Sequence, residues 1–154
     1  MPTSTATVWD TIAREAERES SLWAAALRPE EEREALPVFS PLAEARFALG
    51  VESIYEGYLL HYGRPRLFAP ADRDGAVLLG DYLYAHGLVR ITMLGDVEAV
   101  GRLAELLSLC AHLRAEAADG DGHAWADTIG SLGRAAPGPQ DTERALRLHA
   151  ERVI

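Results

Sequence analysis

Apolar positions recur with a helical period along almost the whole chain. Val8, Ile12, Ala16, Leu22, Trp23, Ala26 and Leu27 outline a first amphipathic helix, which Pro29 ends. The acidic stretch PEEEREAL then reads as a short turn with a solvated face, its glutamates suited to a positive helix end. Ser40-Pro41 has the form of an N-cap followed by a first-turn proline, so a helix is predicted from there to about Leu60. That helix carries two stripes. Phe47, Val51, Ile54 and Tyr58 follow one; Leu42, Ala45, Leu49, Glu52 and Glu56 follow the other. The second stripe starts apolar and ends in two carboxylates one turn apart, as on a helix whose buried face opens into a cavity.

His61-Tyr62-Gly63-Arg64-Pro65 reads as a turn. Asp72 or Asp74 can cap a helix running from about Gly75 to Leu94. Gly95-Asp96 stops that helix and caps another, which continues to about Ala115 with Val100, Leu103, Leu106, Leu107, Cys110 and Leu113 on one wide face. DGDGH is a flexible turn, 124–132 a short helix, APGPQ a loop, and 141–154 a last helix. No convincing strand pattern or internal repeat occurs. The expected fold is all-α, a bundle of about six helices forming one domain over 1–154.

Composition narrows the function classes. The chain has 154 residues, 48% hydrophobic and 25% charged, with a formal net charge of -9. An acidic surface with no basic run argues against nucleic acid and anionic membranes as partners. Every basic residue other than histidine is arginine, and asparagine is also missing, a pattern of biased base composition. Cys110, the single cysteine, lies in the apolar run LAELLSLCAHL, so it reads as a small buried hydrophobe, with no internal disulfide to form. The N-terminal stretch lacks the form of a signal peptide, and no apolar run approaches the ~20 residues of a membrane span, so a cytoplasmic location is expected.

One segment carries candidate chemistry. From Glu52 to Leu94 a helix with spaced carboxylates runs into Gly63-Arg64-Pro65, and a second helix bears the run AVLLGDYLYA, Ala76 to Ala85. This order and spacing resembles the trans-isoprenyl diphosphate synthases, the polyprenyl synthetase family. There an Asp-Asp-x-x-Asp motif is followed, four residues on, by Arg-Arg-Gly-x-Pro and then by a Gly-Asp helix. Set on Gly63 and Pro65, the three aspartates fall on Glu52, Ser53 and Glu56, and the two arginines on His61 and Tyr62. Gly95-Asp96 with the helix after it resembles the family's next helix pair. RALRLHAERVI resembles the helix before its second aspartate motif, which this sequence does not contain. The resemblance runs from about residue 40 to 154 and implies part of the isoprenoid synthase fold.

The departures bear on function. The family's aspartates hold magnesium ions that bind an allylic diphosphate, and magnesium demands oxygen ligands in near-octahedral geometry. Glu52 and Glu56 still offer carboxylates on one helix face, but each is a methylene too long, and Ser53 brings no charge. His61 and Tyr62 cannot replace two guanidinium forks. The leading expectation is therefore a non-catalytic small or regulatory subunit that pairs with a catalytic prenyl diphosphate synthase, or with itself. Leu103, Leu106, Leu107, Leu146 and Ile154 are its candidate interface.

A second reading is a stand-alone enzyme that binds or hydrolyses a diphosphate. Glu52, Glu56 and Asp81 would be a reduced magnesium site, with His61, Arg64 and Arg66 around the anion. No cofactor is required in the first reading; magnesium is the candidate in the second. A third reading is a helical interaction module unrelated to isoprenoids. The bland alternatives are a solvated glutamate pair, a packing aspartate at Asp81, and exposed loop arginines at Arg64 and Arg66. Gly80 and Gly87 are expected to allow close helix approach, since each otherwise costs about 1 kcal/mol in a helix interior.

Overall fold

A computed structural model of the chain describes residues 5–133 and 135–154. Among them are seven α-helices and no strand: α1 (Thr5–Glu19), α2 (Ser21–Ala26), α3 (Ala48–Tyr62), α4 (Arg73–Met93), α5 (Val97–Ala115), α6 (Asp121–Gly130) and α7 (Pro139–Arg152). The all-α expectation holds, with one helix more than expected. The extra one comes from the first predicted helix, which breaks at Ser20. Its backbone turns extended (φ -158°, ψ 141°), and its side chain accepts a hydrogen bond from the Leu22 amide, so Ser20 caps α2.

A second boundary also moves. Ser40-Pro41 opens a single 3-10 turn rather than α3, and a further such turn spans Ala45–Phe47. The α-helix proper starts at Ala48. Asp72 is the α4 cap, accepting from the Gly75 amide at 2.8 Å, and Asp96 caps α5 through the Ala99 amide at 2.9 Å. α6 and α7 each begin slightly earlier than expected, and α7 ends at Arg152.

α3 is the centre of the molecule. Every residue from Gly50 to Leu60 is buried, as expected of a helix surrounded on all sides. Within α3 both sequence stripes therefore face protein, while Ala45, ahead of the helix, is exposed. One core cluster joins α3 to Phe39, α5, α6 and α7; another joins Leu60, Leu67 and Phe68 to α1, α2 and α4. The chain's last residues pair with the end of α3. The Arg64 amide donates to the Arg152 carbonyl and the Ile154 amide to the Tyr62 carbonyl.

The tightest packing is between α3 and α4, whose contact is far more extensive than that of any other helix pair. It depends on two reciprocal glycine contacts. A Cβ on Gly57 would lie 2.8 Å from the Gly80 carbonyl oxygen, and one on Gly80 3.0 Å from that of Gly57. Gly50 and Gly87 face each other likewise, at 3.2 and 2.9 Å. The pairing runs in reverse order along the two helices, so they are antiparallel, and backbone meets backbone where a methyl group would wedge them apart. This is the close approach expected of Gly80 and Gly87, with partners that the sequence did not name.

Gly57→Ala is therefore expected to destabilise the fold by about 1–3 kcal/mol through overpacking against rigid backbone. Gly101 is the control. Nothing among the described residues lies within 4 Å of a Cβ there, so Gly101→Ala should stabilise α5 by about 0.5–1 kcal/mol. Urea unfolding of the two variants checks both signs.

Candidate functional site

The two glutamates predicted as metal ligands do converge, but on an arginine. Glu52 and Glu56 lie one turn apart on α3, with side chains 2% and 0% exposed, and the fully buried Arg66 sits between them. Its Nη1 donates to Glu52 Oε1 at 2.7 Å and to the Leu36 carbonyl at 2.8 Å; its Nε donates to Glu56 Oε1 at 3.0 Å. Glu56 also accepts the backbone amides of Arg66 and Leu67, the latter at 2.7 Å, and Glu52 accepts the Ser40 hydroxyl at 2.6 Å. The guanidinium carbon lies 4.6 Å from the centroid of a Trp9 ring and 5.1 Å from that of Tyr55. Nη2 has no hydrogen-bond partner among the described residues, and those aromatic faces supply its compensation. Burial opposes the charge on Arg66, but Glu52 and Glu56 outweigh it and hold the group above its ordinary pKa.

This geometry does not fit a magnesium site. Both Glu56 oxygens already accept N–H donors, both Glu52 oxygens are taken, and a cation stands where the ion would sit. Asp81, the third proposed ligand, takes no part: its side chain is 62% exposed on α4 and bonds His61 Nε2 at 3.0 Å. Among the described residues, no three His, Cys, Asp or Glu side chains are grouped to hold a metal. The proposed anion clamp is likewise dispersed. Arg66 is enclosed by its carboxylates, His61 faces Asp81, and the Arg64 guanidinium donates to the Glu151 carbonyl.

The candidate interface residues also separate. Leu103 and Leu106 are core, 0% and 2% exposed, because the inner face of α5 is already covered by this chain's own helices. Leu107 and Leu146 pack partly buried against that core, and Ile154 stands 90% exposed at the chain end.

A second polar cluster lies on another face of α3, built from residues that no local sequence pattern links. Asp121, at the first turn of α6, accepts from Tyr58 Oη at 2.7 Å and from Arg114 at 2.8 Å, and contacts His149 Nε2 at 3.2 Å. His149 Nδ1 lies 2.7 Å from Tyr55 Oη, and its ring packs against Phe39. His149 is one of the buried anchors that hold the otherwise polar α7 in place. Burial works to raise the Asp121 pKa, but the hydrogen bonds from His149, Tyr58 and Arg114 outweigh it and hold the carboxyl well below its usual range. Burial pushes the phenols of Tyr55 and Tyr58 up, and the Cys110 thiol up to about 11, so Cys110 is unreactive at neutral pH. Their shared enclosure suits them to fastening helices together rather than to meeting a substrate.

In comparisons with protein-family models, with characterised proteins and with solved structures, nothing matches this chain. Among the described residues, no helix is long and apolar enough to cross a membrane.

The Asp121 cluster gives an acid-side signature. A carboxyl whose pKa is lowered by folding contributes stability that is complete above its unfolded value, near 4, and is lost as pH falls through its lower folded value. Asp121→Asn should therefore be less stable than the wild type at neutral pH. The gap should narrow as the pH drops below about 4. Thermal unfolding of both proteins between neutral and strongly acidic pH measures it.

Proposed function

We propose that this chain is a polyprenyl synthetase-like helical subunit that carries out no prenyl transfer by itself and acts by pairing with a catalytic prenyl diphosphate synthase. The observation that carries the reading is the occupancy of Glu52 and Glu56 by Arg66. The carboxylates set on the family's metal-binding motif by the sequence resemblance are taken up by an internal cation, which supports a role without the family's chemistry. Ionising an allylic diphosphate needs cations arranged to neutralise the leaving group. A side chain that itself neutralises the two carboxylates works against recruiting those cations.

The reading also draws support from the surface. Leu78, Val89, Met93, Leu94 and Val97 are exposed along α4 and the start of α5, where a partner can cover them. That face equally suits a helical interaction module outside isoprenoid metabolism, so the test must separate the two.

The test is co-expression with a prenyl synthase that carries both aspartate motifs, taken from the same genome. The expected result is a co-purifying complex whose products differ in chain length from those of the synthase alone, with no product from this chain alone. A synthase that neither binds this chain nor changes its products in its presence would remove the isoprenoid reading and leave the interaction module.

A further inference from the structure

α7 is fastened by charge more than by apolar packing. Of its 14 residues only Ala145, His149 and Arg152 are buried, and just one of those three is apolar. Leu146, Leu148 and the following Val153 are partly buried against the core. At the other end the N-cap is Gly138, which has no side chain to offer the first amides.

Two arginines close over the end of α7. Arg152 grips Glu34 with both terminal nitrogens, at 2.9 and 2.8 Å, and reaches the Arg64 carbonyl at 3.3 Å. Arg114 of α5 donates to the Ile154 carbonyl at 2.9 Å and to Asp121 at 2.8 Å, the carboxylate that His149 contacts at 3.2 Å. Between these arginines, Val153 is extended and forms an antiparallel bridge with Gly63. The Ile154 amide donates to the Tyr62 carbonyl at 3.0 Å, and the Arg64 amide to the Arg152 carbonyl at 2.8 Å. Gly63 leaves room for this strap: a Cβ there would lie 2.5 Å from the Arg152 carbonyl oxygen. The glycine of the Gly63-Arg64-Pro65 turn thus admits the chain's own last residues.

We infer that α7 and residues 152–154 form a clasp that opens as one unit while the rest of the fold stays closed. An element with few buried apolar groups opens locally at a lower free energy than the whole domain. The Glu34 side chain is 52% exposed, and an ion pair so open to water holds weakly. The fastenings also share donors, so they are lost together: Arg114 serves both the strap and the Asp121–His149 contact, and Arg152 both Glu34 and Arg64. Opening draws His149 away from Tyr55, whose hydroxyl has no other hydrogen-bond partner among the described residues. It also bares the Phe39 ring that His149 packs against. The closed clasp thus keeps water from an aromatic, hydroxyl-bearing surface beneath α7.

Hydrogen exchange of the full chain, followed amide by amide by NMR at urea concentrations below the unfolding transition, tests the clasp. In the wild type the α7 amides and that of Ile154 should exchange through an opening that urea barely affects, at least roughly tenfold faster than the central amides of α3. Arg152→Ala should speed the same amides, and that of Arg64, by a further factor of roughly ten, with α1 and α4 unchanged. Gly63→Ala pushes on the Arg152 carbonyl without removing a charge, and should speed the same set. Arg147→Ala, at an exposed position on α7, should exchange like the wild type. Exchange of α7 only together with α3, or variants that speed α3 and α7 alike, overturns the inference. The clasp does not depend on the prenyl synthase reading, and neither result decides that reading.

Discussion

Arg66 is a full charge held entirely out of water, and the chain is arranged to meet its needs. Stranding one ion of such a cluster in the interior costs several kcal/mol, so the parts must be formed together or not at all. Glu52 and Glu56 come from α3, the Leu36 carbonyl and the Ser40 hydroxyl from the segment before it, and Trp9 from α1. Glu56 also ties down the amides of Arg66 and Leu67, which fixes the path of the chain just after the Gly63-Arg64-Pro65 turn. That folded-back segment in turn hydrogen-bonds the end of α2 through the Ala69 amide, which donates to the Ala26 carbonyl, and carries Phe68 into the core. A buried ion pair is no guarantee of high stability, since apolar side chains of the same shape could do as well. Its contribution here is to specify one arrangement of four separate segments.

The same helix serves two other attachments. At 100° per residue, the glycines at 50 and 57, the carboxylates at 52 and 56, and the tyrosines at 55 and 58 fall on three faces roughly 120° apart. The glycine face takes the backbone of α4, the carboxylate face takes Arg66, and the tyrosine face takes Trp125 and the Asp121–His149 pair. A helix used in this way has no surface left to line an open cavity. The function proposed here is therefore sought on the outside of the molecule, on α4, and not around α3.

How much of this the sequence disclosed follows from the range of each interaction. Helical periods and cap residues are local, so the all-α class and the Asp96 cap were legible, as was the α4 cap down to a choice between Asp72 and Asp74, which the structure decides for Asp72. Ser20 was missed because the apolar period of α1 carries straight on into α2, and only the capping bond marks the break. The i, i+4 spacing correctly put Glu52 and Glu56 on one inward face. It could not say that the cation they meet is Arg66 rather than a metal, because a turn of the chain decides that. The signal that could have shown it is an arginine four residues past the end of a glutamate-bearing helix, just after the Gly63-Arg64-Pro65 turn, with its own amide free to reach back. Tyr58, Asp121 and His149 meet across gaps of 63 and 28 residues, and no local pattern points to such a meeting.

The central claim is that Glu52 and Glu56 exist to hold Arg66. Urea unfolding of Arg66→Met, set against the wild type, tests it most directly. Two buried carboxylates left without their cation should cost about 3–5 kcal/mol, and added magnesium should restore none of it. A variant that loses less than about 1 kcal/mol, the worth of an exposed pair, or that magnesium brings back to wild-type stability, would contradict the account.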